Sequence, residues 1–204
     1  MLKAMDLLIQ YPLADTVEFA GVGYEVNASF DTILRVFDML DDDAIPDYLK
    51  IKCGLIMFLG DAEARGLDLN LEEQGELFRD ILGRYVQIEQ EAQYDILGNL
   101  MEGPMVQSEI YYDIKHDASA IYASFMQAYG IDLIEQQGKL HWLKFKALLS
   151  GLPENTQFKR IVSIRQWKPS DEKKTRTKAM KEAQKALRLP SSSLLYDEDE
   201  EEQE

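Results

Sequence analysis

Two histidines and a pair of closely spaced aspartates are the residues of this 204-residue chain best suited to chemistry. Asp113 and Asp117 are four positions apart, so they share one face of a predicted helix, where they could act as an acid–base dyad. His116 and His141 each lie in a predicted helix, where either could bind a metal ion. No nucleophile, glycine-rich loop or oxyanion element accompanies the aspartates, and no HxxxH or CxxC spacing supplies a ligand set. The residues therefore predict neither an enzyme nor a metal site.

An aspartate triplet at 41–43 and the single cysteine, Cys53, are the other chemically capable residues. A calcium-binding loop beginning at the first aspartate would need a glycine at its sixth position and a carboxylate at its twelfth, where Pro46 and Lys52 stand. An acidic loop between two helices is the better interpretation. Cys53 can form no internal disulfide and has no histidine nearby in sequence, so a buried structural thiol is favoured over a nucleophile.

The net charge of −15 is unevenly distributed along the chain. Residues 1–138 carry −18 and residues 189–204 carry −7, whereas residues 139–188 carry +10 from 14 basic and 4 acidic side chains. An acidic bulk of this size argues against general nucleic-acid binding, which needs a phosphate-neutralising surface. No apolar run is long enough to span a membrane, and the N-terminus lacks the apolar region of a signal peptide, which favours the cytosol.

Alternating apolar residues near the N-terminus predict a small β-hairpin at 15–26. The apolar positions flank a break at Ala20 and Gly21 and are Val17, Phe19, Val22, Tyr24 and Val26. An isolated hairpin is marginally stable, so this one must pack on helices or pair with a strand of a partner.

Residues 28–103 form an acidic part with three predicted amphipathic helices. Asn27 or Ser29 can cap the first helix, and Pro46 starts the second. The apolar positions of the three helices are Phe30, Ile33, Leu34, Phe37 and Leu40; Tyr48, Ile51, Leu55 and Phe58; and Leu77, Phe78, Ile81, Leu82 and Tyr85.

Residues 105–168 form an aromatic-rich part with three further predicted helices. Gly130 ends the first in the left-handed conformation that glycine favours at a C-cap. The second is apolar around most of its circumference and stops at Gly151, and Pro153 opens the third. The apolar positions are Ile121, Phe125 and Tyr129; Leu140, Trp142, Leu143, Phe145, Ala147, Leu148 and Leu149; and Phe158, Ile161 and Val162.

The predicted fold is mainly α: a single helical, bundle-like domain at 1–168 that includes the N-terminal hairpin, followed by a basic helix at 169–189. The basic helix has only a narrow apolar stripe, so a solvated helix is favoured over a binding site for nucleic acid or an acidic partner. The acidic segment 190–204 cannot bury apolar area and is predicted to be disordered.

The helical spacing of the aromatic residues in 110–167 predicts that most of them pack in a core. Some of them are predicted to form a groove for a partner helix. Basic neighbours in the run HWLKFK would also suit nucleotide stacking, although core packing is favoured. The residues predicted to bind a partner are Tyr112, Tyr129, Trp142, Lys144, Lys146 and Trp167.

The runs YYDIKHDASAIYASFMQAYGIDL and LHWLKFKALLSGLPENTQFKRIVSIR resemble the bacteriophage gene-product-fifteen family, and the resemblance extends over roughly residues 6–168. It implies a non-enzymatic role in tail morphogenesis: a tail assembly chaperone in the host cytoplasm that binds the tape measure protein, with the tail tube protein or a second copy as further partners. No catalytic motif and no cofactor come with it.

Two other functions remain open at this point. A structural subunit would be retained in the virion, at the tail completion end or in the baseplate. A nucleic-acid-binding regulator would depend on the basic helix, particularly on Lys173, Lys174, Arg176 and Lys178, and its DNA binding would be steeply salt-dependent.

Overall fold

A computed structural model describes residues 13, 15–86, 111–168 and 174–190 of the chain, with the backbone alone at 174–177. The chain divides into two compact units, and each unit consists of two segments that are separated in the sequence. Unit 1 comprises Met1–Gly103 and Ile134–Leu148, and unit 2 comprises Pro104–Leu133 and Leu149–Glu204. The predicted continuation of a helix beyond residue 86 and the predicted acidic tail after residue 190 lie outside the described residues.

Unit 1 begins with the predicted hairpin, in which β1 (Thr16–Phe19) pairs antiparallel with β2 (Val22–Glu25). Val17 lies opposite Tyr24 in the register, and both side chains are buried. The two-residue turn takes a positive φ at Ala20 (50°) and at Gly21 (79°), which is the backbone twist that tight hairpins need. The hairpin is therefore confirmed.

Within the described residues 15–86, four helices follow the hairpin: α1 (Phe30–Asp41), α2 (Asp47–Leu59), α3 (Asp61–Arg65) and α4 (Leu71–Val86). α2 packs on α1, α3 and α4, and α4 also contacts β1. The close approach of α2 to α4 depends on Gly54, because a Cβ there would lie 2.7 Å from Cζ of Phe78. The core side chains of these helices are Phe30, Ile33, Val36, Met39, Leu55, Phe58, Leu77, Phe78, Ile81 and Tyr85.

The returning segment of unit 1 joins the start of α1 through backbone hydrogen bonds. The N–H of Phe30 donates to the carbonyl of Leu140 (2.9 Å), and the N–H of Trp142 donates to the carbonyl of Ala28 (2.8 Å). α6 (Trp142–Ser150) begins there and runs from unit 1 into unit 2. Its Phe145 ring stacks on Phe30 with centroids 4.9 Å apart, so this helix closes the core over α1.

Unit 2 contains α5 (Ala118–Tyr129), α7 (Gln157–Gln166) and α8 (Lys174–Ala186). α7 packs against both α5 and α8. The Ser124 hydroxyl donates to the carbonyl of Ala120 (2.6 Å) and accepts from the N–H of Phe158 (3.0 Å), which fixes the start of α7 against α5. Gly130 ends α5 in the left-handed conformation, with φ 64° and ψ 22°, as predicted.

The prediction that Pro153 opens the third aromatic-rich helix is wrong. α7 begins at Gln157, after the N-cap residue Thr156. The carbonyl of Pro153 accepts from the N–H (3.0 Å) and the hydroxyl (2.7 Å) of Thr156, so the proline begins a turn that precedes the helix. In the described residues the fold is mainly α-helical with an N-terminal hairpin, which confirms the predicted fold class.

Candidate functional site

A buried arginine–aspartate pair lies in the interior of unit 2. Nη1 of Arg165 on α7 is 2.6 Å from Oδ2 of Asp117, and Nη2 is 2.8 Å from Oδ1. The side chains are only 8% and 3% exposed, respectively. Two parallel charge-assisted hydrogen bonds are the strongest arrangement that these groups can form, so this pair is the electrostatic centre of unit 2.

Arg165 also donates hydrogen bonds to two further segments of the chain. Nε donates to the carbonyl of Leu187, just after α8 (2.7 Å), and Nη1 also donates to the carbonyl of Tyr111 (3.1 Å). Gln184 of α8 adds donations to the carbonyls of Ile164 (3.0 Å) and Trp167 (2.7 Å) near the end of α7. The basic helix is therefore anchored on α7 by polar contacts as well as by its narrow apolar stripe.

The environment of Asp117 keeps its carboxyl group ionised. Burial by itself raises the pKa, but hydrogen bonds from Arg165 and from the backbone N–H of Asp113 outweigh it. The attraction of the Arg165 charge acts in the same direction, and the pKa of Asp117 is consequently below its usual value.

The interpretation of Asp113 and Asp117 as neighbours on one helix is wrong. Asp117 is the N-cap residue of α5, and residues 114–117 form turns that precede the helix. The Asp113 carboxylate accepts from the N–H of His116 (2.6 Å), while that of Asp117 is occupied by Arg165. Both carboxylates accept hydrogen bonds from backbone or guanidinium groups, so both serve to maintain the local structure.

A second polar constellation lies in unit 1 and contains the other histidine. Oδ1 of Asp15 is 2.9 Å from Nε2 of His141 and accepts from the Tyr85 hydroxyl at 3.2 Å. The N–H of Leu143 donates to Nδ1 of His141 (3.0 Å), so Nε2 carries the hydrogen that points to Asp15. Burial, followed by the charge and hydrogen bond of Asp15, raises the pKa of Tyr85. This network joins the residue before β1 to α4 and to the start of α6.

Neither histidine lies in a helix, which corrects the predicted positions of His116 and His141: the first is in the turns before α5, and the second directly precedes α6. In the part of the chain that the structure describes, no group of three or more acidic, histidine or cysteine side chains is arranged to hold a metal ion. Asp41 is the last residue of α1, and Asp42 accepts from the N–H of Ala44 (2.9 Å) in the following turn.

The six predicted partner-binding residues are divided between the two units. In unit 1, Trp142 is 5% exposed and its indole N–H donates to the carbonyl of Tyr85 (3.0 Å). Lys146 extends over that indole ring, with Nζ 5.8 Å from the centroid, whereas Lys144 is exposed. The Trp142 side chain therefore packs in the core of unit 1, and Lys144 and Lys146 lie beside this tryptophan.

In unit 2, the predicted residues are more accessible. Tyr112 is 41% exposed and its ring contacts Phe158 edge-to-face, with centroids 5.5 Å apart. Tyr129 contacts Phe125 in the same manner at 5.7 Å and is half-buried, as is Trp167. The rings of Tyr112 and Tyr129 therefore each pack edge-to-face on a buried aromatic residue of unit 2.

An apolar surface that the sequence analysis did not predict lies on α2. Leu49 and Ile56 are 38% and 36% exposed, with the partly buried free Cys53 between them at helical spacing, and Tyr48 is exposed nearby. We call Leu49, Cys53 and Ile56 the α2 outer face. The available signal was that Leu49, Cys53 and Ile56 recur at helical spacing on a side of α2 away from the predicted apolar stripe.

The buried pair of Arg165 was missed as well, although its sequence contains a signal. Arg165 follows Phe158 by seven positions and Ile161 by four, which places a charged residue on the apolar face of α7. A charge on a buried face needs a partner of opposite sign. The sequence thus indicates that Arg165 is paired without indicating with which residue.

No helix in the described residues is long and apolar enough to cross a membrane. The fold and these networks define a mainly helical protein whose most strongly bonded polar groups maintain its structure. The family described as Bacteriophage Gp15 protein matches residues 9–189, and the chain belongs to that family. No curated protein and no solved structure matches the chain.

Proposed function

We propose that this phage protein is a non-enzymatic tail assembly chaperone that binds the tape measure protein in the host cytoplasm. Membership of the Gp15 family supports a phage role, and the role in tail morphogenesis follows from what resemblance to that family implies. A tape measure protein is long and rich in apolar helical segments, so it needs a partner that covers those segments before tail-tube subunits assemble around it.

The structural observation that carries the proposal is the α2 outer face. Leu49, Cys53 and Ile56 follow an i, i+4, i+7 pattern, which suits contact with the apolar face of a second amphipathic helix. Because Leu49 and Ile56 are already about two thirds buried, covering the rest of each side chain contributes roughly 0.5–1 kcal/mol. A few such contacts, offset by the cost of association, give the reversible binding that a chaperone requires.

The charge of the chain supports the same function. A protein with a net charge of −15 repels other copies of itself and keeps a bound apolar segment in solution. Solubility is the property that a tape measure protein lacks before assembly, so the acidic bulk of residues 1–138 has a direct use in this role.

The test is co-purification of the tape measure protein with variants of the α2 outer face. Leu49→Asp with Ile56→Asp is expected to weaken the association at least about tenfold, the equivalent of about 1.4 kcal/mol. Val22→Asp with Leu71→Asp is the matched control, because these residues are also exposed, apolar and in unit 1. Equal association of both variants, with unchanged helical content, would exclude the α2 outer face as the binding surface.

A further inference from the structure

A row of cations follows one face of α8 and the residues after it. Lys178, Lys181 and Lys185 are separated by three and four positions within α8, so they lie on one side of the helix; Arg188 lies two residues beyond its end, and all four are exposed. Lys174 has the spacing that would extend the row by one turn. We call Lys178, Lys181, Lys185 and Arg188 the cationic row. It concentrates positive charge on one surface of an otherwise acidic protein.

The docking of α8 on α7 orients this row away from the core of unit 2. Among the described side chains of α8, Met180, Ala183 and Gln184 are partly buried, as is Leu187 just after the helix. At 100° per residue, the centre of the three lysines is rotated about 140° from the centre of the three partly buried helical residues. Since Gln184 holds the helix on the carbonyls at the end of α7, the orientation is fixed. The row is therefore presented to solvent as a surface.

We propose that the cationic row is the docking site for the acidic segment 197–204 of the same chain. That segment carries seven carboxylates among eight residues and no basic side chain. Six residues, 191–196, connect it to Pro190, which lies two residues after Arg188 at the end of the row. A row of lysines and arginine and a run of aspartates and glutamates are complementary in charge, and the chain itself brings them together.

The length of the connection allows the acidic segment to lie back along α8. Seven extended residues from Pro190 reach about 23 Å, while a 13-residue helix is about 20 Å long. The first carboxylates therefore reach any part of the row in an antiparallel return. A short flexible tether gives an effective concentration on the order of millimolar, which allows individually weak, salt-screened ion pairs to act together.

The consequence is a basic helix that is masked from other polyanions by its own chain. Exposed lysine rows attract phosphate backbones without sequence preference, and host cytoplasm is rich in nucleic acid. The acidic segment occupies the row in the free protein and yields it only to a polyanion that binds more strongly or at a higher concentration.

The experiment places a spin label on the acidic segment of the full-length chain, with Cys53→Ala and Gln203→Cys. Amide signals of residues 178–188 are expected to broaden several-fold more than those of α2 at low salt. The broadening should disappear near 1 M salt, where the Debye length is about 3 Å. Lys181→Glu with Lys185→Glu should abolish the broadening, and Lys52→Glu with Lys144→Glu, a matched change in net charge at exposed positions, should retain it.

Three results would overturn the proposal. Equal broadening in the two charge-reversed variants would show that the segment does not recognise the row. Broadening of unlabelled, isotope-enriched chains mixed with spin-labelled chains would assign the contact to a second copy. A short DNA duplex that shifts the amides of the row, with no broadening from the acidic segment beforehand, would assign the row to nucleic acid.

Discussion

Arg165 and Asp117 form a two-pronged ion pair, with both guanidinium–carboxylate distances at or below 2.8 Å and both side chains almost fully buried. The residues are 48 positions apart in sequence. Because the same guanidinium also donates to the carbonyls of Tyr111 and Leu187, one side chain joins α7 to the segment before α5 and to the residue after α8.

Replacement of Arg165 should destabilise the protein strongly. Arg165→Met leaves the Asp117 carboxylate buried without its charged partner, which costs about 3–5 kcal/mol. Arg165→Lys keeps the charge but loses the two-pronged geometry, so an intermediate loss is expected. The measurement is the free energy of unfolding in urea. Arg160→Met is the control, because Arg160 is exposed on the same helix and its loss should change stability by less than about 0.5 kcal/mol.

Acid should lower the stability of the protein in part through protonation of Asp117. Its pKa in the folded protein is below the value of about 3.9 in an unfolded chain, so its contribution is present above that value. The contribution is lost as the pH falls from about 4 through the lower, folded pKa. Asp117→Asn should be less stable at neutral pH and should lose stability less steeply in acid. Parallel acid profiles of Tm for the two proteins would contradict this assignment.

Alkaline pH should lower the stability of the protein through ionisation of Tyr85. Its pKa is raised in the folded protein, so its contribution is complete below the unfolded value of about 10 and is lost as the pH rises beyond that value. Tyr85→Phe loses the hydrogen bond to Asp15, at a cost of about 1 kcal/mol, and should show a flatter alkaline limb. The measurement is the free energy of unfolding of both proteins from about pH 8 to about pH 11. Identical slopes for Tyr85→Phe and the unsubstituted protein would disprove the prediction.

Two glycines in neighbouring helices should respond to alanine in opposite directions. Gly54→Ala on α2 forces a Cβ into the ring of Phe78 and should cost at least about 1–3 kcal/mol. Gly83→Ala on α4 meets no atom within 4 Å and should stabilise the helix by roughly 0.5–1 kcal/mol. Thermal unfolding of both variants measures the difference. A Gly54→Ala variant as stable as the Gly83→Ala variant would show that α2 and α4 are not in close contact.

Local features of the fold were predictable because they depend on a few adjacent residues. The hairpin follows from alternation around Ala20 and Gly21, and the end of α5 follows from the need for glycine in a left-handed C-cap. Pro153 was misinterpreted because proline suits a turn before a helix as well as the first helical position. Local patterns permitted both structures, and the structure shows the turn, in which the Thr156 hydroxyl donates to the Pro153 carbonyl and α7 begins at Gln157.

Pairings between distant segments were not predictable from one sequence. His141 meets Asp15 across 126 positions, and nothing in either neighbourhood specifies the other. Periodicity identifies the face of a helix that is buried, but it does not identify what covers that face. For the same reason Trp142 was predicted to bind a partner, whereas its indole ring packs on Phe37 and Phe145 in unit 1.

The most direct measurement is co-expression of this chain with the tape measure protein of the same phage, combined with mass spectrometry of intact virions. A chaperone should make the tape measure protein soluble, co-purify with it and be absent from the virion. A chain that leaves the tape measure protein insoluble and appears in virions at fixed stoichiometry would contradict the proposed function and identify a structural tail subunit.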